Sequence, residues 1–243
     1  MTSTACKLDL LSLAACLVAG LLACGEDLSL PDPSAGGVEL SIAGGNGQNG
    51  TVGEELDQPL VVQVVDNSGA PIVGLRVAFT AVSGDSGGRL QPDTAITDSE
   101  GRASTVWLLG PAPGSRTVEA SVMVTGDSVP RVVSFQATAT AGPPDTLRAV
   151  SPPIQPGRRN EPTANPPSVL AVDRFGNPVG GVPVHWQVTA GAGALSDTLA
   201  VTGADGTASV TWTLGDHSGV QKAIALVDGA TGSPVTFSAV VLF

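Results

Sequence analysis

Residues 66–79 read DNSGAPIVGLRVAF, residues 173–186 read DRFGNPVGGVPVHW, and the second stretch is the first displaced by 107 positions. Asp66, Gly69, Pro71, Gly74 and Val77 fall on Asp173, Gly176, Pro178, Gly181 and Val184, and Phe79 falls on Trp186. A second match follows: TDSEGRASTVWLLG at 97–110 meets TGADGTASVTWTLG at 202–215, a displacement of 105, with Trp107 on Trp212. Phe135 and Phe237 extend the series at a displacement of 102. Such drift is what two copies of one domain leave when their loops differ in length.

Inside each copy apolar residues recur at every second position. Val182, Val184, Trp186 and Val188 alternate with Pro183, His185, Gln187 and Thr189; Ala208, Val210, Trp212 and Leu214 alternate with Thr207, Ser209, Thr211 and Thr213. In the first copy Leu60, Val62 and Val64, and Leu75, Val77, Phe79 and Ala81, do the same. That period turns one face of a strand to a core and the other to water. Turn residues such as Asp66-Asn67-Ser68-Gly69 and Asp205-Gly206 break the chain at the intervals of an antiparallel sandwich.

The motif Asp-x-x-Gly-x-Pro-x-x-Gly-x-x-Val-x-aromatic at 66–79 and 173–186, followed by Thr-x-x-x-Gly-x-Ala leading into a Trp-bearing strand, resembles the bacterial immunoglobulin-like domain of group one, the module strung in tandem in the invasin and intimin adhesins. The resemblance runs from about Val38 to Phe243. It implies an all-β chain of two tandem immunoglobulin-like antiparallel β-sandwiches, at 38–142 and 143–243, needing no disulfide. It carries over no catalytic, cofactor-binding or metal-binding residue, and the lectin-like tip domain of those adhesins has no counterpart before Phe243.

One segment departs from the repeat. Residues 151–168, SPPIQPGRRNEPTANPPS, hold six prolines where the first copy has GGNGQNGTVGEELDQP. Proline cannot donate to a ladder, so this segment belongs at a sheet edge or in an exposed loop. It carries Arg158 and Arg159, the only adjacent basic pair in the chain.

Residues 10–23 are apolar but for Ser12 and Gly20 and end Leu21-Leu22-Ala23-Cys24. As a helix they reach roughly 21 Å, short of the ~30 Å hydrocarbon core, which fits the apolar region of a signal peptide. The last four residues are similar to a bacterial lipobox. The expectation is a lipoprotein signal peptide at 1–23, lipidation of Cys24, and an acidic Pro/Gly tether at 24–37. Cys6 and Cys16 would then leave with the signal, and acyl chains would anchor the protein to a membrane without spanning it. An ordinary secretory signal followed by a coincidental Cys is the alternative.

Composition limits the chemistry. Three Trp, five Phe and no Tyr in 243 residues leave the core to Val, Ala and Leu and leave little for stacking on sugars or bases. Twenty-two acidic against eleven basic residues give a net charge of −11, which repels phosphate backbones, so no nucleic-acid partner is expected. His185 points outward on its strand, and His217 follows Asp216 in a loop with no nucleophile elbow. Two separated histidines do not make a zinc site. Asp66, Asp98 and Glu100 sit at turns where calcium could be imagined, but Asp also caps its own turn, and the second copy has Gly203 in place of Asp98. Trp107, Trp186 and Trp212 fall on apolar strand faces and read as core.

The expected function is non-enzymatic: a lipid-anchored protein of the bacterial cell envelope, at the outer membrane or cell surface, acting as a spacer or adhesion-type surface module. Its partners would be the membrane, through Cys24, and an unidentified protein or cell surface. Residues 24–142 carry 14 acids and 5 bases, net −9; residues 143–243 carry 7 and 5, net −2. That asymmetry motivates the alternative of a ligand- or protein-binding accessory subunit that uses the distal domain and its Pro-Arg loop.

Overall fold

The computed structural model describes residues 37–84, 86–125 and 128–242; the expected signal peptide, Cys24 and nearly all of the expected tether lie outside the described residues. No helix occurs among the described residues.

The first sandwich holds β1 (Val38–Gly44), β2 (Gln48–Thr51), β3 (Leu60–Asp66), β4 (Arg76–Ser83), β5 (Arg89–Gln91), β6 (Thr94–Ile96), β7 (Arg102–Leu108), β8 (Gly114–Val122) and β9 (Arg131–Thr140). The second holds β10 (Thr146–Ala149), β11 (Ile154–Gly157), β12 (Ser168–Val172), β13 (Pro183–Ala190), β14 (Ala194–Leu195), β15 (Leu199–Val201), β16 (Thr207–Ser209), β17 (Trp212–Thr213), β18 (Gly219–Leu226) and β19 (Val235–Val241). Sheet orders β1-β3-β7-β5 and β2-β9-β8-β4-β6 recur as β10-β12-β16 with β14-β17, and β11-β19-β18-β13-β15.

Alternation places the cores. On β8 Arg116, Val118, Ala120 and Val122 are buried while Thr117, Glu119 and Ser121 face outward. Each sandwich closes over its own cluster, built around Trp107 and Phe135 in one and Trp186, Trp212 and Phe237 in the other. Trp186 stacks on Phe237 with centroids 5.9 Å apart. The buried Arg116 donates through Nη1 to the carbonyl of Gly84 and through Nη2 to that of Ala112. At the same place Gln221 donates to Gly215 O and His217 O and accepts from Gly215 N. Each inward polar side chain thereby ties down the loop before its own strand.

Three details differ from the sequence reading. β2 runs parallel to β9, and β11 to β19, because after β1 and β10 the chain crosses to the opposite sheet. The expected strand through Ala208–Leu214 is split into β16 and β17. In the first sandwich Leu60 pairs with Thr105; the matching Pro167 accepts from Val210 N (3.1 Å) but has no N–H to return. Ala81, expected on the buried face, is exposed because the register between β4 and β8 shifts between Ala81 and Ser83. The proline-rich segment does form an edge: β11 has β19 as its sole sheet neighbour.

The repeated Asp residues organise their own turns. Asp66 Oδ1 accepts from Ser68 N, Ser68 Oγ and Ala70 N, and Asp98 Oδ1 from Glu100 N and Arg102 N. Asp173 Oδ1 accepts from Phe175 N and Asn177 N.

Candidate functional site

β3 begins at one end of the first sandwich, beside the 51–59 loop, and ends at the other, at the Asp66 turn. The second sandwich repeats this, and its Asp173 turn faces the 51–54 loop of the first. The sandwiches therefore meet end to end.

The junction is built from side chains. Asp173 Oδ2 accepts from Gly142 N (3.0 Å) and from Asn177 Nδ2 (2.9 Å), so the second sandwich holds the linker that enters it. Asn177 Nδ2 also donates to Pro111 O (2.8 Å), and Arg174 Nη2 donates to Gly53 O (3.3 Å), both across to the first sandwich. The Arg174 guanidinium lies 4.7 Å from the Phe175 ring centroid. Thr51, Glu54, Pro143 and Phe175 help to line a cavity of about 160 Å³ between the sandwiches. Gly53 sits at φ 71°, and a Cβ there would stand 2.5 Å from Phe175 Cζ. The first copy has Asn67, Ser68 and Ala70 where the second has Arg174, Phe175 and Asn177.

The far end of the second sandwich keeps the same loop scaffold. Gly53 N donates to Gly110 O and Leu109 N to Glu54 O; correspondingly Asn160 N donates to Gly215 O and Leu214 N to Glu161 O. Residues 158–161 thus stand where 51–54 stand, but the chemistry has changed. Asn160, at φ 59°, is the only non-glycine residue with positive φ among the described residues. Arg159 is exposed where Val52 is buried, and Arg158 is exposed beside it. Arg158, Arg159, Glu161 and Leu242 border an open depression of about 700 Å³. An end that receives a neighbour in the first copy is a charged, open surface in the second.

His217 Nδ1 lies 2.6 Å from Asp216 Oδ1 at this end, and both side chains are about 70% exposed. His185 is exposed on the outer face of β13. Among the described residues no three His, Cys, Asp or Glu side chains gather where they could hold a metal ion. The Asp66 and Asp98 carboxylates are occupied by their own turns and held below their usual pKa, chiefly by the Ser68 hydroxyl for Asp66 and the Arg102 N–H for Asp98. All three tryptophans are buried.

The sequence reading located Arg158 and Arg159 and missed Gly53, Arg174, Phe175 and Asn177. The signal for those four lay at positions where two otherwise matching motifs disagree.

Residues 160–240 match the family described as bacterial Ig-like domain (group 1). No curated protein matches the sequence. Among solved structures the chain is similar to Yersinia pseudotuberculosis InvD, at 18% identity over 84% of this chain and 57% of that one, with TM-score 0.50. It is also similar to FdeC, an Escherichia coli adhesin, at 18% identity over 85% of this chain, with TM-score 0.49. The chain spans 64% of the length of FdeC. At these identities the likeness is one of fold.

Proposed function

We propose that the chain, whose residues 160–240 match a group 1 bacterial Ig-like domain, is a non-enzymatic, lipid-anchored envelope protein, with domains at 38–142 and 143–243 serving as a spacer or adhesion-type surface module. The observation that carries this reading is the junction: Asn177, Arg174 and Phe175 bind the second sandwich to the end of the first, an arrangement that holds a distal surface away from an anchoring point. The family match supports the surface role, and Leu21-Leu22-Ala23-Cys24 supports the anchor. A second reading, a binding accessory that uses the distal end, is favoured by the replacement of Val52 and Gly53 with Arg159 and Asn160.

Labelled palmitate supplied to a lipidating bacterial host tests the anchor. Label in the wild-type chain and none in Cys24→Ser, with the variant leaving the membrane fraction, is the expected result. Wild-type chain without label removes the anchor from the proposal.

A further inference from the structure

The outer faces of the two five-stranded sheets can be compared residue by residue, because their registers match. Ala78 pairs with Ser121 and Thr80 with Glu119 in the first sandwich; His185 pairs with Leu226 and Gln187 with Ile224 in the second. Ser115 lies opposite Thr138, and Val220 opposite Val240; Thr94 lies opposite Ala78, and Leu199 opposite His185. The outward residues Thr94, Ser115, Glu119, Ser121 and Thr138 of the first sandwich thus become Leu199, Val220, Ile224, Leu226 and Val240 of the second.

These side chains contribute nothing to the second core. Leu199 is 50% exposed and Val220 54%, while Ile224 and Leu226 are half-buried and lie outside the core cluster. Leu199, Ile224 and Leu226 border an open depression of about 500 Å³ beside His185. In the first sandwich the exposed Val82, Ile96 and Val132 stand near strand ends, and the middle of the face is polar. Alternation requires only one apolar face per sheet, so a second one needs a cover.

We propose that this face of the second sandwich docks against the same face of a second copy of the chain. Charge favours that occupant. The outward positions of the sheet carry His185 and Lys222 and no carboxylate, so an acidic partner meets one amine and one imidazole and a basic partner meets no counter-charge. The apolar cluster at Leu199, Ile224 and Leu226 is matched by another apolar cluster, which a second copy supplies in an isologous pair. The second domain carries net −2 against −9 for residues 24–142, so pairing through it joins the less repulsive parts of two acidic chains. The five strands, 3 to 8 residues long and about 4.8 Å apart, offer roughly 490 Å² per copy, or about 980 Å² per pair, which is in the range of weak, transient interfaces. The contact is therefore weak and concentration-dependent. The proposal goes beyond the spacer reading and does not depend on it.

Sedimentation velocity on the full chain carrying Cys24→Ser, recovered from the soluble fraction, tests it across the micromolar range. The expected result is a mass rising from one chain to two. Ile224→Glu with Leu226→Glu should weaken association at least about tenfold, Leu199→Glu on the edge strand should do likewise, and Ser121→Glu in the first sandwich should leave it unchanged. If the double variant fails to melt cooperatively, Leu199→Glu decides. A monomer throughout, a dimer untouched by Leu199→Glu, or a dimer weakened equally by Ser121→Glu overturns the proposal.

Discussion

Phe175 of the second sandwich closes on Gly53 of the first so tightly that a Cβ added to Gly53 would stand 2.5 Å from the ring. Gly53 is left-handed at φ 71°, and Asn160 holds the equivalent place at φ 59°. The fold requires the left-handed residue; the junction requires that it be glycine.

Gly53→Ala should strain the loop by about 1 kcal/mol and displace Phe175, and Phe175→Ala should open the junction without straining the backbone. Protease cleavage within residues 141–145 should rise in each single variant, and the double variant should show less than the sum, because each removes the same contact. Strictly additive cleavage rates would show that the two residues do not act together.

Trp186→Ala should destabilise the second sandwich by roughly 3–5 kcal/mol. Trp186→Phe should lose less, about 1–2 kcal/mol, because the indole Nε1 has no hydrogen-bond partner to forfeit and the stack on Phe237 survives. Thermal melts of both variants check the order; equal losses would show that the stack on Phe237 does not carry the value of Trp186.

How much of this was legible beforehand depends on the range of the interaction. Trp107, Trp186 and Trp212 were assigned to cores by period-two alternation, which is local and which burial enforces. The parallel pairing of β2 with β9 was hidden, because alternation reports which face is buried and not which way a neighbour runs. The split after β16 was readable in principle, since Pro167 replaces Leu60 and removes a ladder donor. Arg174, Phe175 and Asn177 sit inside a recognised turn motif, whose local logic explains the bonds that Asp173 Oδ1 accepts from Phe175 N and Asn177 N. Their partners lie 66 or more residues away, beyond any local pattern. Cys24, the one modification site expected, lies outside the described residues.

Acid should loosen the chain through its turns. Burial pushes the Asp173 carboxyl upward, but hydrogen bonds from the Asn177 side chain and from Gly142, Asn177 and Phe175 N–H outweigh it and hold the pKa below the usual value. Asp205 is likewise held low, first by the Thr207 N–H. A carboxylate whose folded pKa lies below its unfolded value of about 3.9 adds stability above that pH, and the contribution is lost as pH falls through the folded value. The melting temperature should therefore stay level from about pH 7 to about pH 5 and fall below about pH 4. Asp173→Asn should lower it at neutral pH and shrink the acid-induced drop; an unchanged acid profile would remove Asp173 from the cause.

Shape follows from the junction. A compact particle of residues 37–242 would have a radius of gyration near 17 Å, and two sandwiches joined end to end should exceed about 20 Å. Small-angle scattering at concentrations that keep the Cys24→Ser chain monomeric distinguishes them, and a compact value would mean that the sandwiches fold back on each other.

The spacer reading meets its most direct test at the distal end, where Arg158 and Arg159 stand exposed. A spacer works through length and fold, whereas a binding surface depends on a few anchoring side chains, each worth about 2 kcal/mol or more when truncated. The measurement is complementation, in the native bacterium, of whatever phenotype deletion of the protein produces, by Arg158→Ala with Arg159→Ala. A spacer predicts full complementation by this variant with a wild-type melting curve. Loss of complementation by a variant that melts like wild type would contradict the spacer and assign the function to the distal surface.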